Sequence, residues 1–186
     1  MRKRLIEISL SAFLTSIAVI ISPVLWFPAF TTKAYPGQHM INVISGVLLG
    51  PWWAALIALF TGIIRIMLGV GTIYSIPGGI PGAFLVGIGY EILRRTRFKE
   101  KAELAAFLEP IGTVLIGGTL ALYIFAPSIG DVRMLQRLEE GPMFALIGLW
   151  SLWALSSVPG CIIGYIILLV LKKAGYTRET ILEDKH

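Results

Sequence analysis

Apolar stretches fill most of the 186-residue chain and constrain its fold more than any other feature, because several of them are long enough to cross a bilayer. They cover residues 5–22, 39–69, 81–93, 104–126 and 143–171. The composition agrees, with 56% hydrophobic residues, 15% charged residues and a mean hydropathy of +0.80. The sequence predicts an all-α integral membrane protein that forms a single domain over residues 1–186.

The second stretch is too long to be one span. Its 31 residues would make a helix of about 46 Å, whereas the hydrocarbon core is about 30 Å thick. Gly50-Pro51 lies near its middle, and proline interrupts a helix. We therefore expect a tight hairpin here and six transmembrane helices in total.

Other glycine and proline positions set the remaining boundaries. The run Pro77-Gly78-Gly79-Ile80-Pro81-Gly82 predicts a turn that leads into a fourth helix starting at Pro81. The last stretch contains Pro159 and is expected to be one kinked or tilted helix. Between the fifth and sixth spans, residues 128–141 predict a short interfacial helix.

The distribution of basic residues supports the count of six. With a cytoplasmic N-terminus, six spans place 12 Lys and Arg residues, Lys185 among them, inside and three outside; five spans would place 10 outside and five inside. Cytoplasmic loops carry the excess of basic residues. We expect a multi-pass protein of a prokaryotic cell (plasma) membrane with both termini in the cytoplasm. The first stretch, which no cleavage site follows, is expected to be a retained span.

Residues for catalysis or metal binding are scarce. The chain has histidine only at His39 and His186, a single cysteine, Cys161, and none of the zinc-protease, serine-hydrolase or nucleotide-binding motifs. Cys161 is expected to be a packing residue. The sequence predicts no enzyme, no metal site, no cofactor and no ATP site in this chain, and the basic residues act as topology signals with no nucleic acid partner.

Arg65 is the only Asp, Glu, Lys or Arg residue between Ala34 and Tyr90. Holding a guanidinium at membrane depth costs on the order of 3 kcal/mol or more. The side chain either snorkels to the interface or meets a bound anion, a ligand or an acid of the protein. Glu109, near the cytoplasmic start of the fifth span, is a candidate acid, although its depth in the membrane does not obviously match that of Arg65.

Other polar and aromatic residues are candidates for a binding site. Gln38, His39 and Asn42 share a face at the outer end of the second span, where they either line a pocket or cap the helix. Trp150 and Trp153 share a face of the sixth span, where they either stack on a flat ring or contact lipid. The loop over residues 23–38 holds the aromatic residues Trp26, Phe27, Phe30 and Tyr35, which suit the membrane interface or a pocket lid.

On the first span, Ala12 and Ser16 form a stripe of small residues that permits close helix contact. The contacting helix belongs either to this chain or to a second one.

Several segments together resemble the ThiW family, the substrate-binding S components of energy-coupling factor (ECF) vitamin transporters. They are residues 35–43 and 46–53, Arg65 with residues 68–72, residues 77–83 and residues 109–113. The resemblance covers nearly the whole chain. It implies a six-helix membrane protein that binds a vitamin precursor near the outer face and works with a transmembrane coupling subunit and two ATPase subunits, which use the ATP.

The resemblance also implies a ligand and a docking site. The ligand is the thiazole precursor of thiamine, hydroxyethylthiazole; the alternatives are thiamine, its pyrimidine precursor and a phosphorylated thiazole. Ala12 and Ser16 match in kind the small-x-x-x-small motif that docks on the coupling subunit. A small membrane enzyme and a structural membrane partner are the alternatives from other classes.

A thiazole ring is small, flat and neutral near pH 7. We expect Trp150, Trp153, Tyr74 or Tyr123 to stack on it, and Gln38, His39 or Asn42 to bond its hydroxyl or ring nitrogen. A neutral ligand does not require the positive charge of Arg65. This side chain therefore holds a loop carbonyl or an acid, or indicates a phosphorylated cargo.

Overall fold

The computed structural model describes residues 1–29 and 32–182. Phe30, expected among the loop aromatics, lies outside the described residues, as do Lys185 and His186. Helix makes up 83% of the structure. The all-α prediction therefore holds except for one small antiparallel hairpin, in which Phe27 pairs with Ala34.

The described elements follow one another in a simple order. They are α1 (Arg2–Ile21), β1 (Phe27–Ala29), β2 (Thr32–Ala34), α2 (Pro36–Leu49), α3 (Pro51–Met67), α4 (Ser75–Leu93), α5 (Lys99–Ile129), α6 (Val132–Glu140), α7 (Pro142–Lys173) and α8 (Arg178–Leu182). Helix α5 begins with 3₁₀ turns over Lys99–Phe107 and then alternates α and π turns.

Four of the described helices, α1, α4, α5 and α7, are long and apolar enough to cross a membrane. Helix α3 is apolar but has 17 residues, and α2 has 14, so they are about 26 Å and 21 Å long. The structure thus supports a membrane protein with several spans. The count of six stays a prediction.

The hairpin between α2 and α3 forms where the sequence predicts it. Helix α2 ends at Leu49, Gly50 takes a φ of 89°, and Pro51 opens α3. A φ in this range favours glycine because a Cβ would crowd the backbone, and proline suits the first position of a helix. The predicted break is confirmed.

The glycine-proline run is not the turn that the sequence predicts. It lies inside α4, which begins at Ser75 and has 19 residues. Pro77 is tolerated because it falls in the first turn, where backbone N–H groups have no partner within the helix. Pro81 lies farther inside, and Gly82 beside it lets α4 approach α5. The run is a packing surface for neighbouring helices.

Helices α5 and α7 are each continuous. Helix α5 begins at Lys99, five residues before the predicted start of the apolar span, and α7 runs unbroken through Pro159. The predicted short helix between them is α6, within residues 128–141. Cys161 is buried in α7, where its thiol donates to the carbonyl of Ala106 at 3.2 Å, as expected of a packing residue.

Helix α2 lies at the centre of the bundle. Every one of its residues is buried, and it packs against α1, α3, α4, α5 and α7. Polar side chains on such a helix have no outward face, so each must find partners inside the protein. This position of α2 places Gln38, His39 and Asn42 inside the bundle.

Basic and acidic residues gather at one end of the bundle. Arg178 pairs with Glu91 at 2.5 Å, and Lys172 pairs with Glu103 at 2.9 Å. Glu91 follows Ser75, the first residue of α4, by about 24 Å along the helix axis. The opposite end of α4 therefore lies away from these charges.

Candidate functional site

A cavity of about 440 Å³ opens at the end of the bundle where α4 begins. It lies among the start of α2, the end of α3, the start of α4 and the first half of α7. Its wall includes Tyr35, Gln38, His39, Arg65, Tyr74 and Trp153. Pockets for small molecules commonly have this size and this mixture of aromatic and polar groups.

The start of α2 brings three of these residues into the wall. Strand β2 ends at Ala34, and Pro36 occupies the first position of α2. The backbone N–H of Tyr35 donates to Ser156 Oγ at 3.0 Å, which ties the start of α2 to α7. Gln38 and His39 follow in the first turn and are 5% and 9% exposed.

Arg65 does not snorkel to the interface, because only 3% of it is exposed. Its Nη1 donates to Gln38 Oε1, its Nη2 lies 3.4 Å from the carbonyl of Val70, and its guanidinium lies 4.9 Å from the centre of the Tyr35 ring. The loop after α3 wraps around it, since the N–H groups of Val70 and Gly71 both donate to the Arg65 carbonyl at 3.0 Å. Arg65 does not pair with Glu109.

Glu109 instead accepts four hydrogen bonds behind the cavity. Oε1 accepts from His39 Nδ1 at 2.8 Å, Asn42 Nδ2 at 3.1 Å and Thr113 Oγ1 at 2.7 Å, and Oε2 accepts from Ser157 Oγ at 2.5 Å. The carboxyl group is fully buried. Four donors offset the loss of water around a carboxylate, so this group can be held inside the bundle.

The early start of α5 explains how Glu109 reaches α2. Glu109 is the eleventh residue of α5 and is fully buried in the bundle. Gly82 on α4 provides the space, because a Cβ there would lie 2.8 Å from Glu109 Oε1. The carboxyl group of Glu109 fits between α4 and α5 because the residue of α4 that faces it is glycine.

His39 links this buried network to the cavity. Because both Glu109 oxygens accept, Nδ1 of His39 is the donor in the contact between them. His39 also borders the cavity, so Nε2 is the ring nitrogen left for a ligand. Asn42 lies deeper, where it bonds Glu109 and the carbonyl of Gly79 at 3.3 Å.

The predicted aromatic residues separate into two groups. Trp153 borders the cavity, and its ring packs on Gly78, where a Cβ would lie 3.2 Å from Cζ3. Trp150 lies outside the wall against Gly118, and its indole nitrogen has no hydrogen-bond partner. Tyr123 is also outside the wall and 44% exposed, and its hydroxyl donates to the Pro142 carbonyl at 3.5 Å.

Tyr74 connects the cavity to α6. Its hydroxyl donates to Asp131 Oδ2 at 2.7 Å, and Asp131 Oδ1 accepts from the N–H groups of Arg133 and Met134 at the start of α6. The hydrogen bond from Tyr74 is the main reason that the pKa of Asp131 lies below its usual value. One carboxyl group thus caps α6 and holds it against a wall residue.

Sequence reasoning did not include Thr113, Ser156 or Ser157 among the site residues. Thr113 borders the cavity and bonds Glu109, which stands four residues earlier on α5. Two features of the sequence could have indicated these residues. They are the four-residue spacing of Glu109 and Thr113 and the pair Ser156 and Ser157 within the otherwise apolar α7. Within residues 1–29 and 32–182, no group of three or more His, Cys, Asp or Glu side chains forms a metal site.

The two residues of the predicted docking stripe lie apart from the cavity. Ala12 and Ser16 are exposed on α1, and Ser16 Oγ donates to the Ala12 carbonyl at 2.9 Å. Ser11, one residue before Ala12, is buried within the bundle. The Ala12 and Ser16 stripe therefore does not pack against the rest of the described chain.

Neither curated proteins nor solved structures gave a match to this chain. The model of one protein family, described as thiamine-precursor transporter protein (ThiW), matches residues 8–174. This range includes the cavity, the buried network around Glu109, the whole of α4, α5 and α7, and residues 8–21 of α1. The chain belongs to the ThiW family of thiamine-precursor transporter proteins.

Proposed function

We propose that this chain is the substrate-binding subunit of an ECF-type importer and that it captures hydroxyethylthiazole, the thiazole precursor of thiamine. The observation that carries the proposal is the cavity walled by Gln38, His39, Arg65 and Trp153 in a chain of a thiamine-precursor transporter family. Capture occurs at the outer face of a prokaryotic cell membrane, and a partner module drives uptake.

The cavity wall offers the groups that a thiazole alcohol requires. Trp153 supplies a flat face for the ring, and His39 Nε2 and the Gln38 amide can bond the hydroxyl or the ring nitrogen. Glu109 and Asn42 act from behind the wall by holding His39 and the start of α4. Trp150 and Tyr123 are not assigned a contact with the ligand.

The distribution of charge supports capture from outside. The ion pairs of Arg178 with Glu91 and of Lys172 with Glu103 lie at the end of the bundle away from the cavity. Since cytoplasmic segments carry the excess of basic residues, this end faces the cytoplasm and the cavity opens outward. Both termini are then cytoplasmic, and the bundle crosses the membrane six times.

The energy for uptake comes from other chains. We assign no catalytic role, cofactor or ATP site to this chain; two partner ATPase subunits use ATP and act through a transmembrane coupling subunit. The exposed Ala12 and Ser16 stripe on α1 is the surface proposed to contact that subunit. Small residues allow helices to approach closely in lipid.

Mass spectrometry of small molecules carried through purification tests the ligand. We expect hydroxyethylthiazole or a close derivative, and titration of the emptied protein should reproduce its binding. Recovery and specific binding of thiamine or the pyrimidine precursor alone would contradict the thiazole assignment.

Two further experiments test assembly and topology. Copurification with a coupling subunit and two ATPases is expected, and a chain that binds thiazole without such partners would contradict the ECF assignment. Extracellular labelling of a cysteine placed at Arg97 would contradict the proposed orientation.

A further inference from the structure

Arg65 contributes a buried positive charge to the cavity wall, and no acidic side chain among the described residues lies within ion-pair distance of it. A guanidinium stays protonated in proteins, so the charge persists inside the bundle. A buried charge without a counter-ion is strongly destabilising. A ligand group that supplies the missing negative charge would therefore bind favourably.

The contacts that Arg65 does make are all neutral. They are the Gln38 amide oxygen, the face of the Tyr35 ring and the Val70 carbonyl at 3.4 Å. Nε has no partner, so only two of the five N–H groups have acceptors in the structure. An oxyanion is the ligand group that guanidinium binds best, because planar pairs of N–H groups match its oxygens.

Glu109 is not free to supply the missing charge. Its two oxygens already accept from His39, Asn42, Thr113 and Ser157. Moving it toward Arg65 would leave those four donors buried without an acceptor, and each unsatisfied donor would destabilise the folded protein. The interior carboxylate is thus committed to the network behind the cavity.

Holding the loop after α3 does not explain the guanidinium either. The strongest links between that loop and Arg65 are the N–H groups of Val70 and Gly71, which donate to the Arg65 main-chain carbonyl at 3.0 Å. Any residue at position 65 would provide that carbonyl. The side-chain contact with the Val70 carbonyl is long for a hydrogen bond.

We infer that the cargo carries an anionic group, a carboxylate or a phosphate, that forms an ion pair with Arg65 while Trp153 contacts its ring. The inference rests on the proposed function and names the form of the thiazole that is bound. Gln38 and Tyr35 hold the guanidinium in place before the anion arrives. The anionic group of the ligand then supplies the counter-ion that the protein does not provide for Arg65.

Binding of three thiazoles to the purified full-length chain tests this inference. They are hydroxyethylthiazole, its phosphate ester, and 4-methylthiazole-5-acetate, in which a carboxylate replaces the alcohol carbon. We expect at least one anion to bind at least tenfold more tightly than the neutral alcohol. Preference for the phosphate or for the acetate identifies the group, and either result supports the inference.

Two variants assign the preference to Arg65. Arg65→Met should reduce the preference for the anion to less than threefold. Gln38→Glu has nearly the same shape as the native side chain and places a carboxylate beside Nη1, so it should fold even where Arg65→Met does not. It should also lose the preference for the anion and raise the melting temperature. Retention of the full preference in Gln38→Glu would overturn the inference.

The outcomes separate this inference from the proposed function. Equal or tighter binding of neutral hydroxyethylthiazole would overturn the inference and leave the thiazole assignment standing. Failure of all three thiazoles, with binding of thiamine or the pyrimidine precursor, would overturn both.

Discussion

His39 on α2 and Glu109 on α5 are 70 residues apart in the sequence, yet 2.8 Å separates Nδ1 of one from Oε1 of the other. His39 borders the cavity, whereas Glu109 is fully buried behind it. The carboxyl group therefore reaches the cavity only through the wall residues that it bonds, His39 and Thr113. This contact joins the packing of α2 and α5 to the geometry of the cavity.

Replacing Glu109 with glutamine should weaken both folding and binding. An amide has one oxygen where the carboxylate has two, so the donors from His39, Asn42, Thr113 and Ser157 cannot all be satisfied. We expect Glu109→Gln to lower the free energy of unfolding by about 1–3 kcal/mol and to reduce ligand affinity. Thermal unfolding in detergent and ligand titration measure the two effects.

Ser157→Ala is the matched control for this change. It removes one of the four donors and leaves the carboxylate and His39 in place, so it should cost about 1 kcal/mol. Equal stability of the two variants would show that the network does not depend on the charge of Glu109.

The close approach of α4 and α5 should be sensitive to one methyl group. A Cβ at Gly82 would lie 2.8 Å from Glu109 Oε1 and 3.1 Å from the Glu109 carbonyl oxygen. Gly82→Ala should therefore destabilise the protein by about 1–3 kcal/mol through overpacking. At Gly148 in α7, a Cβ would meet no atom within 4 Å, so Gly148→Ala is the control and should be neutral or slightly stabilising. A Gly82→Ala protein as stable as Gly148→Ala would contradict this packing.

The helix boundaries that depend on local chemistry could be predicted from the sequence. The break at Gly50-Pro51 follows from proline and from a glycine that takes a positive φ, and both signals lie within two residues. The sequence also indicates Gln38, His39, Arg65, Tyr74 and Trp153 as candidates, because polar or aromatic residues stand out in apolar helices. The structure brings all five to one cavity.

What could not be predicted depends on contacts between distant segments. The run from Pro77 to Gly82 has the composition of a turn, and it is helical because its glycines let α4 approach Gln38, Trp153 and Glu109. The role of each glycine is defined only by a neighbour that is far away in the sequence. The same holds for Glu109, whose partners come from α2, α5 and α7.

The contact between Tyr74 and Asp131 should make the position of α6 depend on pH. The folded protein lowers the pKa of Asp131, chiefly through the Tyr74 hydrogen bond, so the contact stabilises the folded state above the ordinary aspartate pKa. That stability is lost as the pH falls through the lowered pKa. The protection factors of the α6 amides, which are corrected for the intrinsic slowing of hydrogen exchange at low pH, should therefore fall over that acidic range.

Two variants check the sign of this dependence. In Tyr74→Phe the pKa of Asp131 returns toward its ordinary value, so the loss of protection should begin at a higher pH than in the native protein. Asp131→Asn has no carboxyl group at this position and should lose this pH step altogether. An identical pH midpoint in the native protein and Tyr74→Phe would refute the role of the hydrogen bond.

Enlarging the small-residue stripe on α1 should disrupt assembly without disturbing the cavity. Ala12 is exposed and lies on α1, which contributes no residue to the cavity wall, so Ala12→Leu should leave ligand affinity within twofold of the native value. A leucine there would hold a partner helix away, because small residues are what allow the backbones to approach. We therefore expect at least a tenfold loss in the yield of copurified coupling subunit. Val158→Leu adds bulk at an exposed position of α7 and should not change that yield; equal yields from the two variants would rule out docking through this stripe.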